Sequence, residues 1–349
     1  MRILINVPDL SLPGGVVALF RILKMEQYYI NVSLFILHNS LPSIVRLPIK
    51  YIEFIFKILK VDLVHLNPSL NRKSFLRDAL FAWLAILFSK KLIIYWHGWE
   101  ENYEERIKGN VFLIFIAKHT FFKAHASIVL GSLFQKKLIV LGYKNKIYIE
   151  TNTADNQYIE TGIIKEVKEN EPIRLLFISR LEIEKGIYIA IETLKILNRE
   201  KSIYKLIVAG SGNEEKKIQQ LAQENPDIEW AGLVDGLQKH NLLFSAHFMF
   251  FPTYYPEGLP LTLLEGIMYG LPLITRPVGG IPDIVVNGEN GFLIKSLSPE
   301  EYAEKISHLV VNSDLFKQIS TNNIKKSELF TPEKVRERIY NIYLNVLTT

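Results

Sequence analysis

Four charged residues in the second half of the chain have types and spacing suited to a phosphorylated ligand. Glu257 and Glu265 stand with seven residues between them in the segment PEGLPLTLLEG. The stretch Pro256–Pro260 cannot be regular helix, whereas Pro260 suits the first turn of a helix that follows it. Backbone N–H groups near Leu261 and Thr262 would then point out of a helix N-terminus, a ready anion site. A carboxylate just ahead of that site would repel a phosphate, so Glu257 is better suited to accept hydrogen bonds from neutral hydroxyls. Glu265, in the early helix, could accept a pair from a ribose diol. Plainer roles also fit: Glu257 as a solvated turn residue, Glu265 as compensation for the helix dipole.

A second anion signal lies upstream, in Ser179–Gly186 (SRLEIEKG). Arg180 stands just past a predicted strand, and Lys185 precedes a Gly that opens the next helix. Arg offers a planar fork and Lys a point charge, a suitable pair for a diphosphate. The same residues could instead form a surface salt bridge with Glu182 or Glu184.

These residues need a scaffold, and the apolar pattern supplies one. Arg2–Val7, Val32–Leu37, Leu63–Leu66, Leu92–Trp96, Ile128–Leu130 and Ile147–Ile149 read as strands. Val16–Gln27, Ile49–Leu59 and Ser74–Phe88 between them read as helices. The alternation restarts with strands at Arg174–Ser179, Leu206–Ala209, Ile228–Ala231, Phe248–Phe251 and Leu273–Thr275. Helices are predicted at Ile187–Asn198, Glu214–Asn225, Gln238–Ser245 and Leu261–Tyr269. Such alternation predicts an α/β chain with two Rossmann-like, doubly wound domains and a ligand cleft between the carboxyl ends of their sheets. The polar stretch Thr161–Pro172 is the linker candidate, separating a domain at 1–160 from one at 171–330. A last helix, Pro332–Leu347, is capped by Thr331 and completes the first domain through residues 331–349.

Composition narrows the class. Nearly half of the 349 residues are hydrophobic and 22% are charged, as in a globular protein with room for two cores. The absence of Cys excludes disulfides and thiolate metal sites. The N-terminal RILINVP reads as a strand rather than a secretory signal. The longest near-apolar stretch, Ala79–Phe88, has ten residues where a membrane span needs about 20, and it reads as a buried helix. Charge is divided unevenly: residues 1–150 carry 20 Lys and Arg against 10 acids, the remainder 21 against 26. A basic first half suits an anionic membrane surface or a phosphorylated acceptor, or is simply a solvated basic surface.

Taken together, Glu257-x7-Glu265 and the Arg180…Lys185-Gly186 pair resemble the retaining family-4 glycosyltransferases with the GT-B fold. Gly14-Gly15, His97-Gly98, Gly210-Ser211-Gly212, Gly232 and Val278-Gly279-Gly280-Ile281-Pro282 extend the resemblance over most of the chain. It is strongest from Arg174 to Leu293. The chain departs from the family at Asn152-Thr153-Ala154-Asp155, where Asn-Gly-Val-Asp is usual, and at Asp283, where Glu is usual.

The resemblance implies a transferase (EC 2.4) whose second domain binds a UDP- or GDP-sugar and whose first binds the acceptor. Arg180 and Lys185 would hold the donor diphosphate, Glu265 the ribose, and Glu257 hydroxyls of the transferred sugar. Gly258, Leu259 and Leu261 would offer main-chain contacts, and Gly15 would let backbone approach phosphate or acceptor. His97 would face the donor sugar. Catalytic roles thus fall to Glu257, His97, Arg180 and Lys185. No cofactor and no metal are expected, since nothing resembles an Asp-x-Asp site, and no nucleic-acid partner is expected either. The family picture has the departing phosphate deprotonate the acceptor hydroxyl.

Three rivals remain at this level. One is a glycosidase using the two carboxylates as an acid/nucleophile pair. The others are an epimerase or phosphorylase on the same fold, and an inactive sugar-nucleotide-binding subunit. Basic residues interleaved with aromatics in Arg46–Lys60 and Lys108–Lys123 fit amphipathic helices on an anionic bilayer. The resulting expectation is a cytoplasmic enzyme, peripheral to the membrane, acting on a glycan or lipid-linked acceptor in cell-envelope polysaccharide synthesis.

Overall fold

A computed structural model describes residues 1–12, 14–37, 43–159 and 164–348. Contacts divide the chain into two compact units, Met1–Thr153 with Pro332–Thr349, and Ala154–Thr331. The predicted linker residues 161–163 lie outside the described residues.

The first unit is built on β1 (Ile3–Pro8), β2 (Val32–Leu37), β3 (Leu63–Leu66), β4 (Lys91–Trp96), β5 (Ala126–Val129) and β6 (Lys146–Ile149). They form one six-stranded sheet in the order β2-β1-β3-β4-β5-β6, and every neighbouring pair is parallel. Strands β3 and β5 are buried along their whole length, as expected where helices cover both faces. Right-handed crossovers put the helices after β2, β3 and β4 on one face, opposite the helix Gly15–Leu23 that follows β1.

The C-terminal helix Pro332–Thr348 packs beside Gly15–Leu23 and is tied to the sheet by specific contacts. Arg338 forks onto the buried Glu150, with Nη2 2.7 Å and Nε 2.9 Å from its carboxylate oxygens. Arg336 Nε donates to the Leu23 carbonyl at 2.7 Å, and Tyr340 stacks on Tyr29. His65 Nδ1 lies 2.6 Å from the Tyr343 hydroxyl, both side chains fully enclosed.

The second unit repeats the plan with β7 (Ile173–Ile178), β8 (Tyr204–Ala209), β9 (Ile228–Gly232), β10 (Phe248–Phe251), β11 (Leu273–Thr275) and β12 (Gly291–Leu293). Its sheet runs β12-β11-β10-β7-β8-β9, again all parallel. The chain leaves β7 toward β8 on one side, while β10 and β11 lie on the other. The gap between the carboxyl ends of β7 and β10 is therefore the topological switch point, where doubly wound sheets bind ligands.

Two sequence expectations need correction. The predicted helix Val16–Gln27 is two helices, Gly15–Leu23 and Met25–Tyr28, because Lys24 adopts left-handed backbone angles and ends the first. The apolar run Ala79–Phe88 falls in a helix, Arg72–Leu87, with Phe88 as its C-cap, but that helix is not buried all round: Leu80, Trp83 and Leu87 are exposed.

Candidate functional site

At the carboxyl end of β7 the chain turns through Ser179–Glu182 into a short 3-10 turn, Ile183–Lys185. At the carboxyl end of β10 it enters Pro252–Pro260 and then the helix Leu261–Met268. Backbone hydrogen bonds lace these two loops together, the Glu184 carbonyl accepting from Tyr254 N–H at 2.8 Å and Tyr255 N–H at 2.9 Å. Thr253 Oγ1 lies 3.3 Å from the same carbonyl.

This lacing buries Lys185 and Glu257 against one another. Lys185 Nζ is 2.7 Å from Glu257 Oε1, with only 8% and 10% of their side-chain surfaces exposed. Thr253 Oγ1 donates to the same carboxylate oxygen at 2.9 Å, and Lys185 Nζ also sits 3.9 Å from the centre of the Tyr255 ring. A solvated turn residue is therefore the wrong description of Glu257. It is a buried anion balanced by one cation and one hydroxyl, the arrangement a buried charge requires. Because Lys185 neutralises it, Glu257 does not repel a phosphate as its place in the sequence predicts.

Arg180 is placed differently. Its side chain is 58% exposed and rests on Glu182, with Nη1 2.8 Å from Oε1. Its guanidinium lies 5.5 Å from the Tyr255 ring centre, so one aromatic ring neighbours both cations. The surface-salt-bridge alternative thus describes Arg180 in this state, and an exposed pair of that kind is weak and easily exchanged.

Glu265 is buried, in the second turn of Leu261–Met268, whose first turn holds no acid. Its carboxylate meets Lys239 Nζ at 2.6 Å, from the helix Gly236–Ser245. Leu261 and Thr262 are the first two residues of their helix, where no earlier helical carbonyl exists to receive their N–H groups. The two glutamates are not paired with each other; each is matched to its own lysine.

The neighbouring loops hold this arrangement by backbone approach. Gly279 has φ +59°, and a Cβ there would overlap the Glu257 carbonyl; Gly280 N–H donates to the Gly258 carbonyl at 2.8 Å. Gly210 has φ +135°, and a Cβ there would overlap the Ser179 carbonyl. Leu259, by contrast, has its side chain buried in the unit.

Two predicted residues belong to the first unit. His97 follows β4, its N–H donating to the Pro68 carbonyl at 3.1 Å and its Nε2 lying 2.7 Å from Asn67 Oδ1. Because Asn67 Nδ2 donates to the Asn6 carbonyl at 2.7 Å, its Oδ1 is the acceptor for His97. That fixes the proton on Nε2 and leaves Nδ1 a lone-pair acceptor. Burial, aided by neighbouring His65, pushes the imidazole pKa down to about 3, so the ring is neutral. Gly15 opens the helix Gly15–Leu23 with Gly14 as its cap. Nothing lies within 4 Å of a Cβ built on either glycine, so any obstruction there would come from a ligand, not from the protein.

Residue types and spacing did not identify Thr253, Tyr255 or Lys239. A lone Lys in QKH carries no distinguishing signal, and Thr253 and Tyr255 acquire their roles only when two loops distant in sequence meet. The Tyr254-Tyr255 pair beside Glu257 was the one available hint, aromatic residues being natural platforms for cations.

Residues 159–326 match the family described as Glycosyl transferases group 1. The capsular polysaccharide biosynthesis glycosyltransferase CapM of Staphylococcus aureus is 30% identical over 217 residues, covering 60% of this chain and 56% of that relative's length. An uncharacterized glycosyltransferase of Methanocaldococcus jannaschii is 26% identical over 337 residues, covering 93% of this chain and 89% of its own. Among solved structures, Anabaena HepE in complex with UDP is similar at a TM-score of 0.76 and 16% identity, covering 99% of this chain and 100% of that one. That likeness is one of fold, and it identifies the two parallel six-stranded sheets as those of a GT-B architecture.

Proposed function

We propose that this chain, a transferase of EC class 2.4 with a GT-B fold, is a group 1 glycosyltransferase, as the match over residues 159–326 supports, and we propose its donor, acceptor and mechanism. The donor is a UDP- or GDP-sugar, bound by the second unit. The acceptor is a glycan or lipid-linked glycan of cell-envelope polysaccharide synthesis, bound by the first unit on the cytoplasmic side of the membrane. Transfer proceeds with retention. CapM is named for capsular polysaccharide biosynthesis, and HepE was solved with UDP and with UDP-glucose; both support this reading.

The observation that carries it is the Lys185–Glu257 pair at the switch point, with Arg180 beside it at the Tyr255 ring. A nucleoside diphosphate leaving group must have its developing negative charge stabilised. Lys185 supplies a fixed cation, and Arg180 one that can leave Glu182 for a phosphate at little cost. The amides of Leu261 and Thr262 add a helix N-terminus. Glu257 then accepts from hydroxyls of the transferred sugar, and Glu265 from the ribose diol. Gly258, Leu259 and Leu261 serve through their main chains, while Gly15 admits a ligand close to the backbone.

In the transfer step the bond between the anomeric carbon and the diphosphate oxygen breaks, its electron pair going to the diphosphate. The acceptor oxygen bonds to the same face of the sugar, and its proton passes to the departing phosphate. His97, neutral and with Nδ1 open as an acceptor, orients a sugar hydroxyl. One fixed cation, Lys185, and one exchangeable cation, Arg180, meet the leaving group's charge, so the step is proposed to proceed without a metal or cofactor.

The test is to incubate the protein with a panel of nucleotide-sugars, with and without acceptor extracts, and follow release of UDP or GDP. Acceptor-dependent release that persists in EDTA and is lost in Arg180→Ala is the expected result. Donor binding unchanged by Arg180→Ala would sink the assignment.

A further inference from the structure

On the sheet face covered by the helices after β2, β3 and β4, three of these lie side by side and turn apolar stripes outward. The helix Ser43–Ile58 exposes Ile49, Ile52 and Phe56, with Leu59 just past its end, at a spacing of one helical face. The adjoining helix Arg72–Leu87 exposes Leu76, Leu80, Trp83 and Leu87. Next to it, Val111–His119 exposes Val111, Phe112 and Phe115. Contacts between the first and second and between the second and third place the three stripes on neighbouring helices. The exposure is substantial, 66% for Phe56, 46% for Trp83 and 67% for Phe112. Soluble proteins rarely leave so large an apolar patch in water unless something covers it.

Charge identifies the covering surface. Residues 46–60, 72–87 and 111–123 together carry nine Lys and Arg against two acids, and the last of these segments has no acid at all. Of the two acids, Asp78 is buried and paired with Arg77, and Glu53 is held by Lys50 and Lys57. An aromatic and aliphatic face within a basic field has the chemistry of a helix surface that lies in the headgroup region of an anionic bilayer. A second copy of the chain is a poor cover, because a two-fold contact would press this basic face against itself. No helix among the described residues is long and apolar enough to cross a membrane, so the contact is one of lying on the surface.

We propose that these three helices form a membrane-docking face that seats the first unit on anionic lipid. This deepens the reading of a lipid-linked acceptor, on which its purpose rests, although docking itself depends only on the patch. Neither amphipathic segment predicts the surface alone, since its middle strip comes from Arg72–Leu87, the helix whose apolar run reads as buried.

The test is co-sedimentation of the full chain with vesicles of phosphatidylglycerol and phosphatidylcholine, or of phosphatidylcholine alone, at low and high salt. Binding to the anionic vesicles, weakened by salt, with a blue shift of tryptophan emission that is absent in Trp83→Phe, is the expected result. The variant Phe56→Ser/Trp83→Ser/Phe112→Ser lowers that binding roughly tenfold or more while retaining UDP binding; should it fail to fold, the three single variants replace it. Equal binding to neutral vesicles, absence of binding, or serine variants that bind like the parent each overturn the proposal. So does a dimer in sedimentation velocity that dissociates in the serine variant, which would make a second copy the cover. Retained UDP binding with no vesicle binding refutes docking alone. Vesicle binding without any nucleotide binding refutes the donor reading and leaves docking intact.

Discussion

Lys185 Nζ and Glu257 Oε1 meet at 2.7 Å with about nine-tenths of each side chain buried. Before any donor arrives, the site therefore holds a balanced pair, cushioned by Thr253 and the Tyr255 ring. A diphosphate entering beside Lys185 must share that cation with Glu257. The carboxylate keeps its place only if something else satisfies it, and sugar hydroxyls are suited to do so. The pair thus couples recognition of the phosphate to recognition of the sugar.

This coupling makes Glu257→Gln informative. The amide retains an oxygen for Thr253 but releases Lys185 from its ion pair. We expect the unliganded variant to melt below the parent, in line with the roughly 3–5 kcal/mol that breaking a buried pair costs. UDP alone should stabilise it at least as much as it stabilises the parent, whereas turnover of the nucleotide-sugar should fall steeply. Thermal shift titrations with UDP, read beside donor turnover, check this. A smaller shift with UDP in the variant than in the parent would mean that Glu257 supports the phosphate site rather than competing for its lysine.

The glycines divide into two groups with opposite expectations. Gly279→Ala places a methyl on the Glu257 carbonyl from a left-handed backbone position, so it should yield little folded protein. Gly15→Ala meets nothing in the protein and lies at the first position of a helix. We expect it to be neutral or stabilising by up to about 1 kcal/mol. If ligand approaches the backbone at Gly15, the same variant raises KM for donor or acceptor despite its stability. Denaturant unfolding combined with steady-state kinetics separates the two effects, and unchanged kinetics would remove Gly15 from the site.

The sheet scaffold was legible in the sequence because its strands are short apolar runs separated by helical periodicity. Eleven of the twelve strands among the described residues are anticipated within a few residues. Strand β12 was not, since Gly291–Leu293 is too short to show any alternation. Chemistry was legible where a residue type at a loop position carries its own meaning, as with Arg180, Lys185, Glu257 and Glu265. Partnership was not: nothing local to Lys239 announces Glu265, and nothing local to His65 announces Tyr343 at the far end of the chain. The sense of burial in Arg72–Leu87 was also hidden, because an apolar run specifies which residues avoid water only when its neighbours are known.

Acid should destabilise the fold through its buried histidines. Burial lowers the pKa of His65 and of His97 to about 3, and that of His247 to about 4, whereas an unfolded imidazole titrates near ~6.5. Between those limits the unfolded chain binds more protons than the folded one, so stability falls as pH drops through this window and is flat above it. Guanidinium midpoints measured from pH 8 to pH 4 test this. His65→Gln loses the Tyr343 contact and is less stable throughout, but its dependence on pH should be shallower. An equally steep dependence would show that other groups carry the acid lability.

His97 offers the sharpest test of how the first unit takes part. Its ring is held by Asn67, whose amide is anchored in turn on the Asn6 carbonyl, so the open nitrogen is Nδ1 and the charge is zero. A residue in that state orients a hydroxyl by accepting from it; it does not shuttle a proton at neutral pH. We therefore expect His97→Ala to lower kcat/KM by roughly tenfold, the loss of about one net hydrogen bond, with UDP affinity unchanged. Asn67→Ala, acting on His97 as a positioning residue, should give a smaller loss of the same kind. In the parent, the pH profile of kcat/KM should show no acid limb near pH 6.5 that disappears in His97→Ala. Such a limb would mean that His97 titrates in the working enzyme, and the burial that keeps it neutral here would then have to be relieved when substrate binds.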